Sequence, residues 1–138
     1  MPQENLEFHR RAVDAFNKRD VEGLVALCDP QIELHSAVTT TLYQGHAGVR
    51  RWNRDLEEAF GEEIWIEPEA YFDLGEHTIT FHLLHGRGRH SGADIAERFA
   101  HVHRWCNGLT VWFKAYAHQD DALSDLGTSK DAVERIDP

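Results

Sequence analysis

The hydrophobic pattern of this chain changes period near residue 61 and does not change back. Before that point apolar residues recur mainly every three or four positions, and after it they alternate. A helix presents one face at a period of about 3.6 and a strand at a period of 2, so helices come first and a sheet follows.

Leu6, Val13 and Phe16 fall at helical spacing with charges between them, which predicts a helix over residues 4–18. Asp20 is placed to cap a second, short helix carrying Val21, Leu24, Val25 and Cys28 on its apolar side. Asp29-Pro30 stops that helix, because proline cannot continue the hydrogen-bond ladder. Residues 31–37 alternate, with Ile32 and Leu34 on one side and Glu33 and His35 on the other, as in a short strand. Residues 39–45 read as a loop containing Tyr43. Val49, Trp52, Leu56 and Phe60 then mark a third helix ending near Gly61.

From residue 63 to residue 74 the pattern is that of a strand, with a bulge or bend expected at Pro68. Gly75 turns the chain into a strand from His77 to Arg89, and Gly92 turns it into another from Ile95 to Trp105. Asn107-Gly108 is a strong hairpin signal, followed by a last strand from Leu109 to His118. Residues 1–120 thus form one domain, and 121–138 a polar tail with room for a short helix begun by Thr128, with Asp131 three residues on. Three helices cannot cover both faces of four long antiparallel strands. The expected fold is α+β: a sheet curled around the helices into a cone, with an interior that side chains need not fill.

The totals fit this picture. A length of 138 residues is one domain, and 41% hydrophobic with 28% charged residues is a globular balance. The net charge of −10 disfavours nucleic acid as a partner, despite local groups at Arg10-Arg11, Arg50-Arg51-Arg54 and Arg87-Arg89 that read as solvated faces. No apolar run approaches the roughly 20 residues of a membrane helix. The opening MPQENLEFHRR lacks the apolar core of a signal peptide, so the expected compartment is cytoplasmic, with Cys28 and Cys106 as unpaired thiols. The oddity is ten histidines.

Parity sorts some of them. On the strand from Ile95 to Trp105, one face carries Ile95, Glu97, Phe99, His101, His103 and Trp105, and the other Ala96, Arg98, Ala100, Val102 and Arg104. The first has the large apolar groups and is assigned to the interior, with His101 and His103 in it. His35 lies opposite Ile32 and Leu34, and parity alone does not say which side faces in. His82 shares its parity with Thr80 and Leu84 and stays unplaced, as does the face of Lys114 and Tyr116; His85 and His90 lie along the same strand as His82 or just past it. His9, His46, His77 and His118 sit near element ends or on polar faces and read as solvated.

Four segments carry a family resemblance: QENLEFHRRAVDAFNKRDVEGLVALCDPQIELH, LYQGHAGVRRW, FAHVHRWCNG and VWFKAYAH. In order and spacing, from about residue 3 to about residue 119, they resemble the SnoaL-like branch of the NTF2-like superfamily. That resemblance implies a cone-shaped α+β barrel, often a homodimer, and a small-molecule ligand in its pocket. It does not imply one activity, since the fold carries polyketide cyclases, ketosteroid isomerases, dehydratases and epoxide hydrolases. Against the isomerases, the general-base aspartate matches His35, the oxyanion-hole acid matches His101, the tyrosine of the first helix matches Ala12, and a second pocket tyrosine falls near Asn53. Steroid isomerisation by that machinery is therefore not expected.

Several functions stay open at this level. In one, His35 and His101 are the catalytic pair of an isomerase, cyclase or lyase: one takes a proton beside a carbonyl and the other steadies the enolate. Phe16, Trp52, Asn53, Phe99, His103 and Trp105 would bind the substrate. In another, the same pocket holds a small apolar molecule without turnover, or the chain is a dimeric scaffold. In a third, His101 and His103 reach one metal ion, completed by His35 or Glu97, although no known metal signature is present. Nothing resembles a dinucleotide or phosphate loop, so no cofactor is expected.

Overall fold

The computed structural model describes residues 2–37, 41–88 and 91–138; Thr39, Arg89 and His90, assigned above, lie outside the described residues. Three helices come early: α1 Pro2–Asn17, α2 Val21–Val25 and α3 Gly45–Phe60. Asp20 caps α2 as expected, its Oδ1 accepting from the Gly23 amide at 3.0 Å. Strand β1, Cys28–His35, starts earlier than the proline suggested. Cys28 therefore opens a strand instead of closing a helix. Pro30 is tolerated there because the pairing of β1 with its neighbour is interrupted between Cys28 and Glu33. A three-residue strand, β2 Leu42–Gln44, occupies part of the expected loop.

The long strands are β3 Trp65–Asp73, β4 His77–Arg87, β5 Asp94–Cys106 and β6 Leu109–Tyr116. All six strands form one sheet in the order β2-β1-β6-β5-β4-β3. The four long strands pair antiparallel in sequence, as their spacing required. One pairing departs from that pattern: β1 runs parallel to β6. The chain leaves β1 and passes through α3 and three long strands before returning, and a long crossover of this kind lets two strands run in one direction. Pro68 does bend its strand, with the register slipping between Pro68 and Ala70. Asn107 (φ 51°) and Gly108 (φ 81°) both adopt the left-handed conformation that a two-residue hairpin turn demands.

The concave face packs on the helices through Val13, Phe16, Ile32, Leu34, Trp52, Ile66 and Phe113. The convex face has a second core of Ala70, Phe72, Ile79, Phe81, Ala100 and Val102. Over it fold the residues read as a polar tail. Helix α4, Gln119–Asp125, sets Ala122 and Leu123 fully into this face, with Leu126 and Val133 beside them. The tail's helix thus precedes Thr128, and only a 3-10 turn at Lys130–Ala132 follows. Ile136 then bridges to Tyr71 through two backbone hydrogen bonds of 2.8 and 2.9 Å. No helix among the described residues is long and apolar enough to cross a membrane.

The edge strand β3 is tied to α1 by one side chain. Asn17 Nδ2 donates to the Ile66 carbonyl at 2.8 Å, and its Oδ1 accepts from the Ile66 amide at 2.7 Å, so the amide stands in for a missing neighbour strand. Asn17→Ala removes both bonds and strands two backbone groups. It is expected to cost about 2–3 kcal/mol in urea unfolding; a loss below about 0.5 kcal/mol would show that water replaces the clamp.

Candidate functional site

Inside the cone the sheet presents Thr78, Thr80, His82 and Leu84 from β4, Phe99, His101, His103 and Trp105 from β5, and Thr110 and Phe113 from β6. Against them α1 sets His9, which is fully buried. Four imidazoles therefore share one interior: His9 and His103 with ring centroids 4.5 Å apart, and His82 and His101 at 4.3 Å.

These groups divide by whether their hydrogen bonds are met. His9 is wedged between two hydroxyls, Nδ1 lying 2.7 Å from Thr78 Oγ1 and Nε2 lying 2.5 Å from Thr80 Oγ1. Trp105 Nε1 donates to the same Thr78 oxygen at 2.8 Å. Thr110 Oγ1 donates its proton to the Trp112 carbonyl at 3.1 Å, so at His103 it acts as acceptor, from Nδ1–H at 3.0 Å. That bond fixes the His103 tautomer and leaves its Nε2 bare. The whole set is a structural network joining α1, β4, β5 and β6.

The other half is unmet. Neither nitrogen of His82 has a hydrogen-bond partner, although the residue has no exposure at all. His101 and the Trp52 indole likewise make no hydrogen bond among the described residues, at 8% and 4% exposure. Buried polar groups are ordinarily satisfied, so the two orphaned nitrogens of His82 call for an explanation. The three residues are contiguous: His101 meets the ring of His82 edge-on and lies 6.3 Å from the ring of Trp52.

Burial governs the charge state here. Desolvation pushes His82 and His103 down to about 3. It also lowers His101 and His9 well below the ordinary imidazole value, with mutual repulsion among the four rings acting in the same direction. All four are neutral at pH 7, and each neutral ring offers one donor and one acceptor.

Two small cavities flank the unmet groups. The inner one, about 30 Å³, lies among Phe16, Ile32, Leu34, Val49, His103 and Phe113. The outer one, about 10 Å³, lies among Ser36, Ala37, Leu56, Leu84, Phe99 and Ala115. The inner space holds about one water, far short of the roughly 300 Å³ of an open ligand pocket. The expected roomy interior is thus closed in this conformation.

The structure brings only part of the expected site together. Phe16, Trp52, Phe99, His101 and His103 line these cavities, as does Ala12. His35 does not. Ile32 and Leu34 take the inward positions of β1, so parity sends His35 outside, where it rests on Trp112 (5.6 Å between centroids) and lies 3.6 Å from Glu33. His35 and His101 therefore face opposite sides of the sheet and cannot act on one ligand within one chain. Asn53 is buried, but its oxygen accepts from Arg19 Nη2 at 2.6 Å, on the side of α3 that meets the end of α1. Trp105 belongs to the satisfied network and lines neither cavity. Glu97 is exposed, and among the described residues no three His, Cys, Asp or Glu side chains converge as metal ligands. His9, read as solvated, is the residue most misplaced by sequence. Its signal was its spacing, since Leu6, His9, Val13 and Phe16 share one helical stripe.

With this geometry in hand, the relatives can be placed. Residues 9–113 match the SnoaL-like domain family. An NTF2-like protein of unknown function from Burkholderia pseudomallei is similar, at 20% identity and a TM-score of 0.75, over 88% of this chain and 95% of its own. A proposed SnoaL-like polyketide cyclase from Jannaschia is 14% identical with a TM-score of 0.74, over 83% of this chain and 85% of its own. A protein with a ketosteroid isomerase-like fold from Catenulispora acidiphila, in complex with trimethylamine, is 14% identical with a TM-score of 0.73, over 91% and 95%. These identities speak for the fold alone, and no curated protein sequence matches the chain. The family match spans most of the length, from His9 on α1 to Phe113 on β6, and the chain belongs to the SnoaL-like family.

Proposed function

We propose that this protein binds a small, largely apolar carbonyl compound inside the cone, at the wall formed by His101. The observation that carries the reading is that His101, buried and without a hydrogen bond among the described residues, lines both cavities. An unmet neutral imidazole in an apolar setting suits a ligand that is mostly hydrocarbon with one hydrogen-bonding oxygen. Because burial holds His101 well below its ordinary pKa, it is a weak base and serves better as a neutral donor that polarises the carbonyl. The proton-transfer pair of His35 with His101 is not part of this reading. Members of the family include cyclases and isomerases, and carbonyl polarisation is a step such chemistry can use.

The test is NMR of histidine-labelled protein titrated with cyclohexanone, following the ring nitrogens of all ten histidines. The expected result is a saturable shift at His101, with His35 and His85 unmoved. Shifts confined to the outer-face histidines, or none at millimolar ketone, would overturn the reading.

A further inference from the structure

We infer that Trp52 is an internal door between two chambers of one ligand site, and that its indole N–H is a second donor to the ligand oxygen beside His101. The inference rests on the binding reading above and deepens it by naming the ligand's shape. Among the described residues, only Trp52 and His101 line both cavities. The partition between the chambers is therefore these two rings, set at 64° to each other. Removing either from the wall joins the spaces.

Among the described residues the indole is held by packing and not by a hydrogen bond. Phe16 lies at 5.9 Å and Phe113 at 5.4 Å between centroids. The other interior tryptophan, Trp105, shows the contrast: its N–H is bonded to Thr78, so it cannot turn without breaking that bond. Trp52 has no such tether among the described residues. Rotation of Trp52 therefore breaks no hydrogen bond among the described residues, and its N–H is free to meet a ligand oxygen beside His101.

The matching ligand is a flat ketone of one or two rings. Its ring would take the joined space that opens between Phe16 and Phe113 once Trp52 has turned and the neighbouring side chains have moved apart, since the closed inner chamber holds only about one water. Its oxygen would accept from Trp52 Nε1–H and His101 together. A purely apolar molecule of the same outline would fit the chamber but leave both donors unmet.

Two probes of the same shape separate the ideas: acetophenone, and ethylbenzene, which lacks the oxygen. In the wild-type protein, acetophenone is expected to move the Trp52 indole N–H resonance downfield, and ethylbenzene is expected to bind about tenfold more weakly without that shift. Trp52→Phe keeps a ring but removes the donor. It should weaken acetophenone about tenfold and leave ethylbenzene unchanged. If both probes bind wild type equally and Trp52→Phe affects neither, the door and donor are overturned while interior binding stands. Binding of either probe to Trp52→Ala but not to wild type would show that the door does not open, which also overturns the inference. If no probe binds wild type or either variant, the underlying binding reading fails with it. Should a variant not fold, the wild-type indole shift decides alone.

Discussion

Acidification from pH 7 to pH 5 is expected to unfold this protein cooperatively, well above the range in which carboxylates titrate. The cause is the four imidazoles inside the cone. His82 and His103 have native pKa values of about 3 against about 6.5 in the unfolded chain, and His9 and His101 are lowered as well. With the native value depressed, the unfolded state binds protons first. The stability is fully present above pH 6.5 and declines as pH falls from there toward the native values. At pH 5 a group lowered to about 3 costs about 2 kcal/mol, so His82 and His103 together remove about 4 kcal/mol. His9 and His101 add to this in the same direction. A domain of this size has about 5–15 kcal/mol in all. Circular dichroism against pH should show a midpoint between about pH 6 and pH 5. His82→Phe replaces an imidazole that makes no hydrogen bond, so it should be near neutral at pH 7 and move that midpoint to lower pH. A wild-type protein still folded at pH 4 would mean that water or a rearrangement reaches these rings.

Removing everything after His118 is expected to leave an insoluble chain. The truncation deletes α4 and uncovers Phe72, Ile79, Phe81 and Val102 on the convex face of the sheet. It also removes the Tyr116 hydroxyl bond to Asp125, at 2.8 Å, and the bridge from Ile136 to the edge strand. Full burial of one leucine or valine is worth about 1.5–3 kcal/mol, and Leu123 is buried to 1% exposure with Leu126 and Val133 packed nearby. The loss should exceed about 5 kcal/mol and leave an apolar patch that aggregates. Leu123→Ala is the graded version, expected to cost about 2–4 kcal/mol by urea unfolding of soluble protein. A truncated chain with an unchanged melting temperature would show that the tail merely rests on the sheet.

That tail marks where the sequence was hard to read. α4 shows few apolar residues, and the face it covers is made mostly by other segments, so no local pattern announces it. The same cover erased the signal on β4. Ile79 and Phe81 are buried beneath the tail and Thr80 and His82 are buried within the cone, so alternation could not say which way His82 pointed. On β5 the convex side ends in Arg98 and Arg104, both exposed, and parity placed His101 and His103 correctly. Parity left His35 open, and the family resemblance pointed it inward. The shape of Ile32 and Leu34 decided otherwise. His9 was obscured by Arg10 and Arg11 beside it, although its position on the stripe of Leu6 and Val13 was visible. The hairpin at Asn107-Gly108, the bulge at Pro68 and the cap at Asp20 were legible because each depends on the backbone chemistry of one or two residues. The parallel pairing of β1 was not legible, because it joins segments far apart in the chain and nothing local encodes it.

The parallel strand also dictates the order in which the molecule can be finished on the ribosome. Strand β1 is among the first elements made, and its partner β6 is the last long strand, so their pairing waits until Tyr116 has left the exit tunnel. Until then β1 has only the three-residue β2 beside it, and Ile32 and Leu34 have no completed cone to close over them. Non-local pairing of this kind is slow to form and leaves apolar surface uncovered in the interim. The nascent chain therefore carries an unfinished apolar edge through most of its synthesis.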